Sequence, residues 1–334
     1  MRTRLQWVTL SMAALILMPL TALGAMPQAA SLATAAVASV YYPMATGIAT
    51  VISRHNPITI RVQPFIGASA WLPSMDKGEM DMGIITSGDA VSAYRGIVIY
   101  KTAFKNIRIL TIGGTNYLGF YVAKDSNMTS VADLRGKKIP ADFPQNLMVK
   151  LSSTAGLASA GLTYSDVVKV PVTDLQAGVQ AFLEGRTDAG WHAVGSPAVE
   201  EANARKGGIK FISLLATLEG AKQMAEIYPG SYPSVLKAGS ATGIVKDTMV
   251  QANDIYLAAF KDFGEEAAYE VVKTLWEHNQ ELGQTSPTLK EWQRDRMVSE
   301  KAFVPYHPGA ITFFKGKGMW SKEMEALQAK LMAQ

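Results

Sequence analysis

Short apolar runs alternate with amphipathic stretches along most of the chain, which predicts parallel β-α-β units. The runs predicted as strands are ITIRV (58–62), MGII (82–85), IRILTI (107–112), GFYVA (119–123), KKI (137–139), VVKV (167–170), AGWHA (189–193) and IKFISL (209–214). Between them, apolar residues recur at helical spacing. Met44 and Ile48, for example, share one face of a helix that begins near Pro43. The predicted fold class is α/β.

Two further regions complete this pattern. LATAAVASVYYPMATGIATVI (32–52) predicts a strand and a loop of small residues, followed by a helix that starts at Tyr41, Tyr42 and Pro43. From Thr248 onward the pattern becomes mainly helical. VQANDIYLAAF (250–260) and EEAAYEVVKTLWEHN (265–279) are the clearest amphipathic stretches there, and both are predicted as helices.

One sequence device occurs twice at a constant offset. GEMDMGIITSG (78–88) and GRTDAGWHAVG (185–195) share the pairs Gly78/Gly185, Asp81/Asp188, Gly83/Gly190 and Gly88/Gly195. Each stretch predicts a helix that ends at a glycine with positive φ, then a buried strand. The last glycine then turns the strand's carboxyl end into a helix, which is capped by Asp89 in one copy and begun by Ser196 and Pro197 in the other.

The repeated device predicts two α/β lobes that face one another across a cleft, since open α/β sheets bind ligands beyond the carboxyl ends of their strands. Residues 86–88 and 193–195 are then cleft candidates, although ordinary tight turns remain the alternative. Strand alternation predicts that only one of Trp191 and His192 faces the cleft. Trp191 either stacks on a ligand or packs in the core.

The N-terminus has the layout of a secretory signal peptide. Arg2 and Arg4 precede an apolar run over residues 8–20 and the small-residue stretch TALGA (21–25). We expect cleavage after Gly24 and a periplasmic location. Because the chain has no cysteine, disulfides, thiol chemistry and a lipoprotein signal are excluded.

Composition and motifs argue against several classes of function. The net charge of +4 includes Arg2 and Arg4, so the expected mature chain is only weakly basic. It therefore lacks the strong positive charge that is typical of nucleic-acid-binding proteins. No HExxH, GxSxG, GxGxxG or P-loop pattern is present, and the two SxxK matches, at Ser74 and Ser234, lack the companion motifs. The histidines are far apart in sequence, at His55, His192, His278 and His307. We therefore predict no catalytic residues, no metal site and no cofactor.

Several motifs resemble the TAXI family of solute-binding proteins, the extracytoplasmic receptors of TRAP transporters, over nearly the whole expected mature chain. The matching stretches are YYP (41–43), GASAWLPSMDKGEMDMGIITSGDA (67–90), SVADLRGKKI (130–139), GRTDAGWHAVGSP (185–197) and VPYHPGAITFFKGKG (304–318). The most specific match is HPGA (307–310). His307 is interpreted there as part of a structural turn and not as a ligand-binding residue.

The resemblance implies a two-lobed periplasmic-binding-protein fold, type II-like, with a hinge and an interlobe cleft. The expected division is 1–24 for the signal peptide, 31–118 plus 246–334 for lobe one, and 119–245 for lobe two, with strands 119–123 and 241–245 crossing between the lobes. The implied function is capture of a small organic solute, namely an acid, an amino acid or a related compound. The implied partners are the membrane subunits of a TRAP-type permease.

Two loops depart from the family pattern. Where the family typically has TGSxGGxYYP, this chain has TAAVASVYYP (34–43), and where the family has PPGSGT, it has FPQNLM (143–148) preceded by Asp142. Loss of glycine changes how closely a ligand can approach the backbone. If Asp142 faces the cleft, it disfavours a second anionic group. We therefore expect altered ligand chemistry.

The predicted ligand-binding residues lie at the helix starts and strand ends that the device and the resemblance place at the cleft. They are Ser39, Tyr41, Tyr42, Ser69, Thr86, Ser87, Asp89, Gln145, Asn146, Trp191, Gly195 and Ser196. Of the two tyrosines, Tyr42 is preferred as the ring that lines the pocket. Two other functions stay open at this point: a periplasmic sensor component that docks on a signalling receptor, and an enzyme on the same scaffold.

Overall fold

The computed structural model describes residues 26–215 and 217–334. The predicted signal peptide and its cleavage after Gly24 lie outside the described residues. The first part of the chain forms β1 (Ala29–Thr34), α1 (Tyr41–His55), β2 (Thr59–Pro64), α2 (Ala68–Asp76), β3 (Met82–Thr86), α3 (Ser87–Arg95) and β4 (Ile107–Ala123).

The middle and C-terminal parts continue the α/β alternation and end in helices. The middle part forms β5 (Lys138–Asp142), α4 (Leu147–Ala158), β6 (Val168–Val172), α5 (Leu175–Leu183), β7 (Ala189–Ala193), α6 (Pro197–Arg205), β8 (Ile209–Phe211), α7 (Leu218–Ile227) and β9 (Ser231–Leu236). The C-terminal part forms β10 (Thr248–Phe260), α8 (Glu265–Glu277), α9 (Asn279–Thr285), α10 (Pro308–Gly316) and α11 (Lys322–Met332). Among these helices, none combines the length and the hydropathy that crossing a bilayer requires.

Two long strands, β4 and β10, connect the two halves of the molecule. They pair with one another in antiparallel fashion over most of their length. At one end, β10 also pairs with β3, which continues through β1 to β2 in parallel. At the other end, β9 pairs with β10, while β7 and β8 pair with β4. Each long strand therefore takes part in both lobes. The runs 107–112 and 119–123, predicted as separate strands, are both part of β4.

Two C-terminal expectations were wrong. Residues 250–260 form strand β10 and not a helix, because β10 lies between β4 on one side and β3 and β9 on the other. A strand buried on both faces loses the alternation that distinguishes it from a helix. Residues 241–245, expected as the returning strand, form a turn in which Gly243 has a φ of 80°. The chain returns between the lobes through β10 instead.

The repeated device is present in the structure. Gly78 and Gly185 both have positive φ, at 77° and 74°. The side chain of Asp81 accepts a 2.7 Å hydrogen bond from the amide of Ser31 in β1, where β1 neighbours β3. In the second lobe, Asp188 accepts a 2.8 Å bond from the amide of Lys138 in β5. Each aspartate thus attaches the start of its strand to an earlier strand of the same lobe.

The two copies differ where their helices begin. Gly195 has a φ of 74° and leads to Ser196, which caps α6 as predicted, with Pro197 in its first turn. In the first copy Gly88 lies inside α3, and Thr86 is the cap: its hydroxyl accepts from the amide of Asp89 at 3.0 Å. The predicted cap at Asp89 was therefore wrong, which frees that carboxylate for other contacts.

Glycines also allow close packing beneath the strands of both lobes. A Cβ atom on Gly83 would lie 2.4 Å from the ring of Trp71, and one on Gly190 would lie 2.2 Å from the ring of Tyr121. Both distances are below van der Waals contact, so each ring occupies the space that a side chain would need. The matched glycines thus serve the same purpose in each lobe.

Candidate functional site

A cavity of about 210 Å³ lies between the two lobes. Its lining includes the N-terminal ends of α1, α2 and α3 from one lobe and of α4 and α5 from the other. The small-residue loop before α1 also contributes, through Ala35, Ala36, Ala38 and Ser39. The loop that departs from the TAXI pattern therefore borders the cavity, which is where the sequence placed the cleft.

The helix starts around the cavity differ in how their free N–H groups are used. Side chains of Thr86, Asn146 and Asp174 cap α3, α4 and α5. The helices α1 and α2 begin after Val40 and Gly67 without a side-chain cap. Their first-turn N–H groups are therefore available to a hydrogen-bond acceptor.

Asp89 lies in the first turn of α3 and borders the cavity. Its carboxylate accepts hydrogen bonds from the hydroxyl of Thr86 at 2.8 Å and from that of Tyr100 at 3.3 Å. Burial raises the pKa of Asp89 to about 6, and these two hydrogen bonds partly oppose that shift. Among the described residues, no basic side chain forms an ion pair with it.

Tyrosines surround this carboxylate. Tyr228 lies 3.3 Å from the hydroxyl of Thr86, oxygen to oxygen, and it lines the cavity with Tyr41. Burial raises the pKa of Tyr41 well above its ordinary value, and the nearby Tyr228 and Asp89 raise it further. Tyr42 is not part of the lining, so the cavity favours Tyr41 over the sequence preference for Tyr42. The helix starts at Tyr41, and consecutive helical residues point in directions about 100° apart.

Asn116, on β4, is a lining residue that the sequence did not identify. It is 4% exposed, and its Oδ1 atom has no hydrogen-bond partner among the described residues. The Oγ atom of Ser39 is likewise buried without a partner there. Buried polar atoms normally have partners, so these atoms are available to a ligand. The polar residues 115–116 lie between the runs 107–112 and 119–123, which were predicted as separate strands but are both part of β4.

The second lobe contributes Asn146, Ser152, Trp191 and His192 to the cavity. The indole N–H of Trp191 donates to the hydroxyl of Ser152 at 3.1 Å, and the ring is 2% exposed, so it belongs to the core as well as to the lining. Burial lowers the pKa of His192 to about 4, which leaves it neutral at pH 7. The expectation that only one of Trp191 and His192 faces the cleft was wrong, because the cavity lies at the end of β7 and not on one of its faces.

The predicted residues divide into two groups by position. Those that border the cavity are Ser39, Tyr41, Thr86, Asp89, Asn146 and Trp191. Those that do not are Tyr42, Ser69, Ser87, Gln145, Gly195 and Ser196. Contact of the first group with a ligand remains a prediction.

Each residue outside the lining has a local reason for its position. Ser69 and Gln145 line a second groove beside Tyr100 and Lys101. The hydroxyl of Ser87 donates to the carbonyl oxygen of Gly230 at 2.9 Å. Ser196 is fully buried where it caps α6, and Gly195 forms the turn before it.

Asp142 does not border the cavity either, so the repulsion expected from it does not arise there. Asp142 and its neighbour Phe143 have positive φ values of 75° and 44°. Such values are uncommon for residues other than glycine, and more so for a bulky residue such as Phe143 than for aspartate. The glycines of the TAXI pattern align with Gln145 and Leu147, so these strained positions are not glycine positions of the family. The carboxylates that do border the cavity are Asp89 and Asp174, and its lining contains no lysine or arginine.

Outside the cavity, the structure brings His55 next to His278 and Glu281, which lie more than 200 positions later in the sequence. The Nε2 atom of His55 lies 2.7 Å from a carboxylate oxygen of Glu281, and the His55 ring stacks on that of His278 with centroids 3.5 Å apart. Arg54 also bonds Glu281. The imidazole rings stack on one another, and the guanidinium of Arg54 pairs with the carboxylate of Glu281. These residues therefore form an ion-paired contact between α1 and α9. His307 caps α10 with its side chain, as the structural interpretation requires.

Comparison with solved structures establishes the fold. PhnD1 from Prochlorococcus marinus (MIT 9301), solved with methylphosphonate, is 12% identical, with a TM-score of 0.54 over 87% of this chain and 99% of that chain. A structure from work on glutathione import through GshT and the cystine ABC importer TcyBC of Streptococcus mutans is 14% identical, with a TM-score of 0.50 over 83% and 100%. A structure described as a periplasmic transporter is 13% identical, with a TM-score of 0.52 over 91% and 96%.

The predicted two-lobed periplasmic-binding-protein fold is confirmed by these likenesses. The chain belongs to the NMT1-like family, whose sequence model matches residues 32–318. This assignment is broader than the TAXI resemblance, which stays a prediction.

Proposed function

We propose that this member of the NMT1-like family is the extracytoplasmic solute-binding receptor of a membrane transporter. It captures a small organic solute in the cavity between its lobes. The observation that carries the proposal is the cavity itself, because helix starts from both lobes line it while β4 and β10 run through both lobes. A ligand held by both sides stabilises the closed arrangement.

The two shared strands act as the hinge of this receptor. The expected division, 31–118 plus 246–334 for one lobe and 119–245 for the other, assigns all of β10 to the first lobe. Because β9 pairs with residues 248–253 of β10 and β3 pairs with residues 255–259, we propose that this boundary lies within β10, so that the chain crosses between the lobes in β4 and β10. Bending of these strands opens the cavity, and the ligand's higher affinity for the closed state supplies the free energy of closure. Both strands are irregular where they pair, with register shifts at 254–256 and 257–258 of β10.

An enzymatic reading has one candidate pair, and its geometry argues against it. The hydroxyl of Ser196 lies 2.8 Å from Nδ1 of His192, which is within reach of a nucleophile and its base. Ser196, however, is fully buried and lies outside the lining of the cavity. Its oxygen already accepts from the amide of Val199 at the start of α6. This pair therefore stabilises the helix start, and we propose a receptor without catalysis.

A thermal-shift screen of metabolites against the purified mature protein tests solute binding, since a ligand at 100 times its dissociation constant adds about 2.7 kcal/mol of stability. Ala38→Trp would place a ring into the cavity, whereas Val37→Trp changes the preceding residue, which is 59% exposed and outside the lining. A true ligand should lose affinity for the first variant only. A hit that binds both variants equally would contradict binding in this cavity.

For the partner, we propose a TRAP-type permease on the basis of the TAXI resemblance. The test is uptake of the identified solute into vesicles that contain the candidate permease and this receptor. Uptake driven by an ion gradient without ATP is the expected result. ATP-dependent uptake would assign the receptor to an ABC importer, and docking on a sensor kinase without uptake would assign it to signalling.

A further inference from the structure

We infer that the solute carries a positively charged nitrogen that donates hydrogen bonds, and that this nitrogen binds at Asp89. The inference rests on the proposed function and names the chemical class that the receptor takes. Three features of the cavity lead to it: the sign of the charges in its lining, the hydrogen bonds that each carboxylate already accepts, and a second hydrogen-bond acceptor on β4.

The ionisable groups that line the cavity make it acidic. Among the described lining residues they are Asp89, Asp174, Tyr41, Tyr228 and His192, and none of those residues is a lysine or an arginine. The tyrosines and the histidine are neutral at pH 7, because burial moves their pKa values away from it. Lys101 lines the second groove and not the cavity. An anionic solute would therefore meet two carboxylates without a compensating cation.

The two carboxylates are not equivalent. Asp174 caps α5, where one oxygen accepts from the amide of Ala177 at 2.9 Å and the other from the hydroxyl of Thr173 at 3.3 Å. Both carboxylates lie at helix starts, but Asp174 also accepts from a backbone N–H group. Among the described residues, Asp89 accepts only from the hydroxyls of Thr86 and Tyr100. A carboxylate that is partly removed from water and has no cation beside it is costly, so a solute cation would stabilise Asp89 more than Asp174.

The surroundings of Asp89 suit an ammonium or amidinium group. Tyr41 and Tyr228 border the same part of the cavity, and both interact electrostatically with Asp89. Aromatic rings attract a cation through their faces. The hydroxyls of Thr86 and Tyr100 donate to the carboxylate, and the hydroxyl of Tyr228 contacts that of Thr86. The ionised form of Asp89 dominates at neutral pH, since its pKa is about 6.

Asn116 supplies the second acceptor. Its buried Oδ1 atom has no partner among the described residues, and the residue borders the cavity. Thr86 pairs with Ile255, and Asn116 pairs with Asn253, on opposite sides of β10. The two positions are thus offset by roughly 7 Å along β10 and about 10 Å across it. A compact solute can therefore place donors near both acceptors, with an apolar body against Ile84 and Leu118.

The uncapped starts of α1 and α2 do not reverse this charge preference. A helix N-terminus carries about half an elementary charge, and its effect falls off within the first turn. Those N–H groups can bind a hydroxyl or carbonyl oxygen elsewhere on the solute. They do not neutralise the ionised Asp89 or provide it with an ion pair.

The test uses probes that differ only in their head group: benzylamine, benzyl alcohol and benzoate, and also pentylamine, pentanol and pentanoate. Thermal shifts at equal concentration should be largest for the amines, and calorimetry should show at least about a tenfold loss of amine affinity in Asp89→Asn. Asp142→Asn is the matched control, because it removes a carboxylate outside the lining. It should keep the amine preference.

Equal shifts for the three head groups, including no shift at all, would overturn the inference. So would a larger shift for the carboxylates, or an unchanged amine preference in Asp89→Asn. A neutral or acidic metabolite that binds the wild type but not Ala38→Trp would refute the charge class and leave the receptor function standing. The two proposals can therefore fail separately.

Discussion

The side-chain amide of Asn146 donates a hydrogen bond to the carbonyl oxygen of Ile66, with 3.2 Å between nitrogen and oxygen. Asn146 begins α4 in one lobe, whereas Ile66 precedes α2 in the other, and both border the cavity. The same side chain caps α4 through its oxygen, which accepts from the amide of Val149 at 3.3 Å. One residue thus combines a local structural role with a contact between the lobes.

Asn146→Asp separates these two roles. Aspartate caps helices as well as asparagine does, but it cannot donate to the carbonyl of Ile66. We expect nearly unchanged thermal stability and a larger radius of gyration by small-angle scattering, because the closed state is less favoured.

Asn146→Ala is the companion variant. It removes the cap as well and should cost about 1 kcal/mol in the free energy of unfolding. If Asn146→Asp scatters like the wild type under all conditions, the bond does not contribute to closure.

Tyr41 and Tyr42 offer an adjacent pair with different predicted outcomes. Tyr41→Phe removes a hydroxyl from the cavity lining and should weaken binding of the true ligand, by about 1 kcal/mol if one neutral hydrogen bond is lost. Tyr42→Phe should leave affinity unchanged, since Tyr42 lies outside the lining. Calorimetry with the ligand found in the screen measures both effects. The reverse ranking would restore the preference for Tyr42 that the sequence favoured.

Asp89→Asn should stabilise the protein at neutral pH. The pKa of Asp89 rises from 3.8 to about 6 on folding, so the native state binds this proton more tightly than the unfolded state. The contribution of Asp89 to the free energy of unfolding is therefore fully present below about pH 4 and is lost as pH rises through about 6. Removing the charge should recover on the order of 2 kcal/mol at pH 7 and nothing at pH 3.5. Chemical denaturation at both pH values checks this, and destabilisation at pH 7 would contradict it.

Binding of an amine probe should weaken in acid. Benzylamine stays protonated throughout, so its affinity should be constant between about pH 7 and 8 and fall up to tenfold per unit below about pH 6, as Asp89 gains its proton. The other ionisable neighbours, Tyr41, Tyr100 and Tyr228, titrate far above this range. His192 titrates near pH 4, below it. Benzyl alcohol is the control and should bind equally across the range.

Gly190→Ala should destabilise the second lobe. The new methyl group would lie 2.2 Å from the ring of Tyr121, and overpacking of this kind costs about 1 to 3 kcal/mol. Gly316→Ala is the control, because nothing lies within 4 Å of its Cβ position in α10. It should be neutral or stabilising by up to about 1 kcal/mol. Urea unfolding compares the two, and equal effects would contradict the packing argument.

How far the fold was predictable depends on how local each signal is. The glycine at the end of a helix and the serine before a proline act within a few residues, so Gly185 and Ser196 were identified correctly. Strand β7 was predicted with the bounds that the structure shows, Ala189–Ala193. Strand β10 was missed because its character comes from pairing with residues more than a hundred positions away.

The candidate site shows the same division. The starts of α1, α3 and α4 were found, since a proline, caps and small residues mark them in the sequence, whereas the start of α5 at Asp174 was not identified. Asn116 and Tyr228 were missed, because each becomes a lining residue only when β4 and the segment before β9 meet α3. Nothing in the immediate neighbourhood of either residue in the sequence indicates that meeting.

By itself, the sequence determined the α/β alternation, the repeated strand-turn-helix device and the starts of α1, α3 and α4 at the cleft, because backbone preferences and capping act locally. Tertiary structure alone decided that Tyr41 and not Tyr42 borders the cavity, and that Asp142 stays away while Asp89 faces it. It also placed Asn116 at the cavity, where its Oδ1 atom has no hydrogen-bond partner among the described residues. The physical reason is that the charge and shape of the cavity depend on long-range strand pairing, which places side chains from distant segments around one volume.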